Sequence, residues 1–163
     1  MDLDTALTGK PTPDAGAVQM LRSDHAEVRR LAREYRAAAG ADEHAAHVVL
    51  EALMMQAELH ARVEEDVFYP AVRQVAPDFV QRAVNEHHTL AARIDELEGD
   101  SAAADAADTL IDELLRHLDD EERELFPEVE RRLGTELQTL GEAMEKRRTE
   151  LTRDVKDLEG PAT

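Results

Sequence analysis

Residues 60–70 read HARVEEDVFYP and residues 117–127 read HLDDEERELFP. Each stretch opens on a histidine, places a glutamate four residues on (Glu64, Glu121) and ends in an aromatic residue and a proline (Tyr69-Pro70, Phe126-Pro127). Side chains four residues apart lie on one face of an α-helix, about 6 Å apart along the axis, so each stretch aims an imidazole and a carboxylate at one place. The proline lacks the N–H that an inner helical turn uses, so each helix should kink just past its pair.

The sequence around these stretches is rich in Ala, Leu, Glu and Arg and poor in aromatic and β-branched residues, which predicts helix throughout. Glycine and proline divide it: Gly40 closes a first helix, Pro77-Asp78 opens a third, Gly99-Asp100-Ser101 separates the third from a fourth, and Gly134 ends the fourth. Each helix carries an apolar stripe at spacings of three and four. The stripes run Val18, Leu21, His25, Val28, Ala32, Tyr35; then Leu50, Leu53, Ala57, His60, Glu64, Val67, Ala71; then Val80, Val84, His87, Ala91, Ile94; and finally Leu110, Leu114, His117, Glu121, loosening near Leu125. The expected fold is all-α, an up-down-up-down four-helix bundle over residues 17–134. A flexible tail over residues 1–16, with Pro11 and Pro13, precedes it, and an additional C-terminal helix and tail over residues 135–163 follow.

Six polar residues therefore stand where core side chains belong: His25, His60, Glu64, His87, His117 and Glu121. Counting outward from the short loops places them near one level of the bundle. Burying them unpaired would cost several kcal/mol per charge, and no Lys or Arg shares the seam. Metal ions satisfy the arrangement, with imidazole nitrogens capping each ion and carboxylates bridging two of them. The halves of the chain match further, since Asp24-His25 is echoed by Glu86-His87. A third pair, His47 and Glu51, lacks the aromatic-proline ending and points about 220° away from His60 around the helix, so it reads as surface, as does His44. Glu65, Glu122 and His88 rotate off the seam by about 100° and read as salt-bridged or solvated positions. Tyr69 and Phe126 read as packing.

Composition narrows the chemistry. With 19 Lys and Arg against 37 Asp and Glu, the net charge of -18 repels nucleic acid and anionic membrane surfaces. No window approaches the roughly 18 to 20 apolar residues of a membrane span, and the start MDLDTALTGK shows no export signal, so a cytoplasmic location is expected. There is no Cys, which removes thiolate nucleophiles, disulfides and iron-sulfur clusters and leaves His and carboxylate as the metal ligands.

His25, His60 with Glu64, His87, and His117 with Glu121, with the endings FYP and LFP, resemble the haemerythrin-like (HHE cation-binding) domain family over roughly residues 18–130. The resemblance implies a four-helix bundle holding two non-haem iron ions, bridged by two carboxylates and an oxo or hydroxo group, and reactive toward O2, nitric oxide or peroxide, or responsive to iron itself. Iron rather than zinc or manganese comes from the resemblance, because these ligand types accommodate all three. Oxygen-carrying members have a fifth histidine four residues after the one corresponding to His87, and here that place is Ala91. The resemblance thus points to two histidines per metal with open positions, and to activation of a small ligand over reversible O2 carriage. Decomposition of hydrogen peroxide is the expected activity; a non-enzymatic sensor or binder of O2, nitric oxide or iron is the alternative. A ferritin-like oxidase would use Glu-x-x-His pairs, and no histidine here has Glu three residues before it. A metal-free interaction module is separated from all of these by metal analysis.

Overall fold

Burying apolar stripes that recur every three to four residues requires helices to pack face to face, and the chain does so in five helical rods. A computed structural model describes residues 16–99 and 104–159. The first rod is α1 (Ala17–Ala38). The second is α2 (Glu43–Val63), a π-helical turn (Glu64–Phe68) and α3 (Tyr69–Val72). The third is α4 (Pro77–Gly99). The fourth is α5 (Ala104–Asp120), a second π-helical turn (Glu121–Leu125) and α6 (Phe126–Leu133), and the fifth is α7 (Glu136–Glu159). The expected bundle with an additional helix is present. The expected N-terminal tail lies outside the described residues except for Gly16, as does the loop after Gly99.

Local chemistry sets the boundaries. Gly40, at φ 79°, and Gly134, at φ 49°, adopt positive φ values that glycine tolerates and other residues rarely take, and each ends a helix as expected. Asp42 caps α2 by accepting a hydrogen bond from the Ala45 N–H at 2.9 Å, which satisfies one of the free donors of the first turn. Pro77 opens α4, where its missing N–H costs nothing.

The two prolines beside the repeated motifs have an outcome that spacing alone did not predict. Immediately upstream of each, the helix widens into a π turn, with Tyr69 N–H bonding the Glu64 carbonyl and Phe126 N–H bonding the Glu121 carbonyl. One extra residue per turn shifts every later side chain by a position. The stripe expected through Val67 and Ala71 is therefore displaced: Phe68 and Val72 are buried, Val67 is half-buried and Ala71 is exposed. In the fourth rod the same shift buries Leu125, Phe126 and Val129. A separate correction applies to α4, where Leu90 rather than Ala91 is buried.

The core has two apolar compartments. One contains Leu21, Phe68, Tyr69, Ala83, Leu125 and Phe126, with Met144 from α7. The other contains Val28, Ala57, Leu90 and Leu114. Along every rod of the four-helix bundle the passage between compartments crosses a histidine: Leu21, His25, Val28; Ala57, His60, Phe68; Ala83, His87, Leu90; Leu114, His117, Leu125. A polar layer is thus clamped between two hydrophobic cores, and that sandwich fixes the depth at which the six residues meet.

Candidate metal centre

The polar layer assembles from all four rods. His25 lies in the middle of α1, His60 in the last turn of α2, His87 in the middle of α4 and His117 in the last turn of α5. Glu64 and Glu121 are the first residues of the two π turns. The structure brings all six expected residues together, none more than 5% exposed.

Their inward atoms form two groups. One ligand atom each from His25, His60, Glu64 and Glu121 lie within 4.8 Å of one another, and so do atoms of Glu64, His87 and His117. Within the first group His25 Nε2 stands 3.3 Å from Glu121 Oε2, and His60 Nε2 stands 3.2 Å from Glu64 Oε1. Within the second, His87 Nε2 is 2.9 Å from His117 Nε2 and 3.3 Å from Glu64 Oε2. Ligands at about 2.1 Å around a six-coordinate cation stand about 3.0 Å from their neighbours, so these separations suit ligands that share a cation. Glu64 belongs to both groups, whereas Glu121 belongs to the first and places its Oε1 3.7 Å from His117 Nε2.

A ring of outer carboxylates turns the imidazoles inward. His25 Nδ1 donates to Glu122 (2.8 Å), His60 Nδ1 to Asp24 (3.1 Å), His87 Nδ1 to Glu65 (3.0 Å) and His117 Nδ1 to Glu86 (2.7 Å). An ionised carboxylate only accepts, so each Nδ1 carries a proton, and each ring, once neutral, would present its Nε2 lone pair to the centre, the arrangement in which histidine ligates a metal. The ring follows the internal repeat. Asp24 and Glu86 precede the histidines of α1 and α4 and serve those of α2 and α5; Glu65 and Glu122 follow the inner glutamates and serve those of α4 and α1. Glu65 and Glu122, expected as surface, thus belong to the centre. Asp24 is buried with the six, and sequence reading gave it no role although its echo in Glu86 was visible.

Four inward atoms, His25 Nε2, His60 Nε2, Glu64 Oε1 and Glu121 Oε2, are buried without any hydrogen-bond partner. They are the four that converge in the first group. Buried polar atoms without partners are costly, and a cation at their common point would satisfy all four. The residues therefore fit a metal centre. Charge agrees: six carboxylates surround the layer, and among the described residues only Asp24 and Glu122 are hydrogen-bonded to an arginine, Arg148 and Arg29 respectively.

Titration shows the same demand for positive charge. Burial pulls the His87 pKa down, but the Glu64 and Glu65 carboxylates outweigh it and push it up to about 9. Burial likewise disfavours charged His60, while Glu64 and Asp24 hold its pKa well above the ordinary value. Glu64 is pushed up by burial and pulled further down by His60 and His87, ending well below the carboxylate range.

Tyr69 was expected only to pack, yet its hydroxyl reaches into the layer. It donates to Glu121 Oε1 at 2.6 Å and lies 3.2 Å from Glu64 Oε2 and 3.3 Å from His87 Nε2. The π turn is the cause, because it returns residue 69 to the face of Glu64 five positions earlier. Phe126 holds the matching place in the second repeat, where it stacks on His25 with ring centroids 5.4 Å apart and carries no hydroxyl. A cleft of about 470 Å³ opens beside the layer, reaching His60, His87 and His117 past Ala57, Leu90 and Ala91. His88 stands at this cleft, exposed. His47 and Glu51 form an exposed pair away from the centre, as expected.

A helical bundle that turns four histidines and two glutamates toward one buried layer defines a cation-binding helical domain. Comparison gives the same class: the Hemerythrin HHE cation binding domain model matches residues 16–129, and the chain belongs to that family. A solved structure, that of a hemerythrin HHE cation binding domain-containing protein from Mycobacterium kansasii, is 25% identical, superposes with a TM-score of 0.74, and covers 91% of this chain and 94% of that one. No curated protein matches. Among the described residues no helix is long and apolar enough to cross a membrane.

Proposed function

We propose that the centre holds two iron ions, one between His25 and His60 and one between His87 and His117, with Glu64 and Glu121 bridging them, and that it decomposes hydrogen peroxide. The observation that carries the metal reading is the convergence of four buried, unpartnered donor atoms on one point, with Glu64 belonging to both groups and Glu121 Oε1 standing 3.7 Å from His117 Nε2. A bound iron pair supplies exchange of electrons with peroxide, so that two molecules of H2O2 give one O2 and two waters without an outside reductant.

The protein's own groups support that chemistry. The cleft past Ala91 admits a small molecule to the His87 and His117 side, at the place where oxygen-carrying relatives would set a fifth histidine. Burial, then the Glu121 and Glu64 charges, raises the Tyr69 pKa well above its usual value, so the hydroxyl keeps its proton and serves as a hydrogen-bond donor beside the inner carboxylates. Apolar residues of both compartments enclose the layer from either side, which leaves the cleft as an approach to it.

The test is to load the purified protein with iron, add hydrogen peroxide and follow dissolved oxygen. One O2 per two peroxides consumed is expected, abolished when Glu64 and Glu121 are both alanine. An iron-loaded sample that evolves no oxygen overturns the catalytic reading. A spectral change with nitric oxide but no turnover would then favour the binder or sensor.

A further inference from the structure

The two ion positions are alike in their inner ligands and unlike in what stands behind them. Behind His60, Asp24 Oδ2 accepts from His60 Nδ1 at 3.1 Å and from Arg148 Nη2 at 2.5 Å. Arg148 belongs to α7, beyond the residues the family model matches. Helix α7 is fastened to the bundle at this level by Met144, which is fully buried, and by Arg147, which bonds Asp66 in the first π turn at 2.8 Å. Arg148 Nε is buried without a partner, so Asp24 is the group that anchors the guanidinium. Behind His25, Glu122 is gripped by Arg29 through two hydrogen bonds of 2.9 and 3.1 Å. Both histidines of the first position thus lean on carboxylates that arginines hold in place.

The second position lacks such backing. Glu65, behind His87, and Glu86, behind His117, have side chains 31% and 34% exposed and no hydrogen bond from an arginine among the described residues. Arg82 comes no closer to Glu86 than 4.0 Å and bonds Glu124 instead. The cleft touches both histidines of this position, past Glu65 and His88, and of the first position's histidines it touches His60 and not His25.

We propose that Arg148 is a positioning residue which, through Asp24 and His60, locks the ion of the first position, and that the second position, between His87 and His117, is where the ion exchanges and the small ligand binds. This rests on the two-ion reading above. A histidine whose outer partner is fixed keeps its ring aimed at the metal, and loss of such a partner typically weakens metal binding about 10- to 100-fold. The fifth helix thereby makes a nearly symmetric pair of sites unequal, a holding position and a working position.

The experiment uses the full-length protein loaded anaerobically with Fe(II), mixed with an excess of a bipyridyl chelator and followed by the absorbance of the chelate. The native protein is expected to release its iron in two phases of equal amplitude. Arg148→Met should speed the slow phase at least about tenfold and leave the fast phase unchanged, and Arg148→Lys should restore most of the slow phase. Glu86→Gln should speed the fast phase alone, which tests the assignment from the other side even if the Arg148 variants fold poorly. Single-phase release of both ions by the native protein overturns the proposal, as does an Arg148→Met slow phase that is unchanged or a Glu86→Gln variant that speeds the slow one. A protein that takes up no iron overturns the two-ion reading itself, whereas two ions released identically overturn the inequality and leave that reading standing.

Discussion

The two repeats of this chain agree on their inner face and part company one layer out. In each, a histidine, a glutamate and an outer carboxylate occur at matching places, and a π turn follows the glutamate. Then the first repeat supplies a tyrosine whose hydroxyl enters the centre, and the second a phenylalanine that only stacks. The arginine contacts divide the same way, toward the His25 and His60 side. On the two-ion reading, the shared features are those any pair of ions needs, and the differences set the two positions apart.

The most drastic way to break the comparison is to remove what the repeats share. Alanine at both Glu64 and Glu121 deletes the two groups that touch both positions, and elemental analysis should fall from two ions per chain to none. If the double variant keeps both ions, the carboxylates are not bridges and the two positions are independent of them.

The shared layer was legible because it violates a pattern. His25, His60, Glu64, His87, His117 and Glu121 interrupt apolar stripes whose period is otherwise regular, and such interruptions cost too much to be idle. What the sequence hid follows from the π turns. A stripe read at the ordinary period buries Val67 and Ala71, whereas the widened turn buries Phe68 and Val72 and carries Tyr69 inward. Pro70, Pro127 and the loosened spacing near Leu125 were the available signals; they marked where the helix would depart from regularity but not in which form. Asp24, Glu65, Glu86 and Glu122 were hidden for another reason, since their partners lie on other helices and helical spacing within one segment says nothing of that. Arg148 lies still further from the motifs, in a helix whose sequence looks merely charged.

The pH response sharpens the comparison between metal-free and loaded protein. His87 gains stability from being charged in the fold: its contribution is fully present below its ordinary pKa near 6.5 and is lost as pH rises through about 9. Glu64 acts in the opposite sense, contributing above its ordinary value of 4.5 and losing that contribution as pH falls toward its depressed folded value. Urea unfolding of the metal-free protein should therefore show highest stability between those two ordinary values, with a loss on the order of 3 kcal/mol above pH 9 from His87 alone. In loaded protein the histidines are neutral, and the alkaline loss should vanish. A metal-free protein equally stable at pH 6 and pH 10 would show that the layer is not held by charged histidine.

A smaller change makes the repeats alike. Tyr69→Phe copies Phe126 into the first repeat and takes the hydroxyl from Glu121, leaving a buried carboxylate oxygen without its donor, which should cost the metal-free protein about 1–3 kcal/mol in denaturation. Peroxide turnover should fall more than iron content, since the inner ligands are untouched. Equal losses of both would mean that the hydroxyl supports only the assembly of the layer.

The smallest effect belongs to the third His-x3-Glu pair, which has the spacing of the repeats and none of their surroundings. His47 and Glu51 stand 3.2 Å apart with side chains 61% and 59% exposed, so water already satisfies both and the pair gains little from meeting. His47→Ala should leave iron content unchanged and stability within about 0.5 kcal/mol. The contrast with His60 and Glu64 isolates burial as the operative variable: the same two side chains at the same helical spacing are left with unpartnered inward atoms only where the fold has removed the water. If His47→Ala lowers iron content, spacing alone would be recruiting metal, and the outer carboxylates could not be what makes the inner histidines ligands.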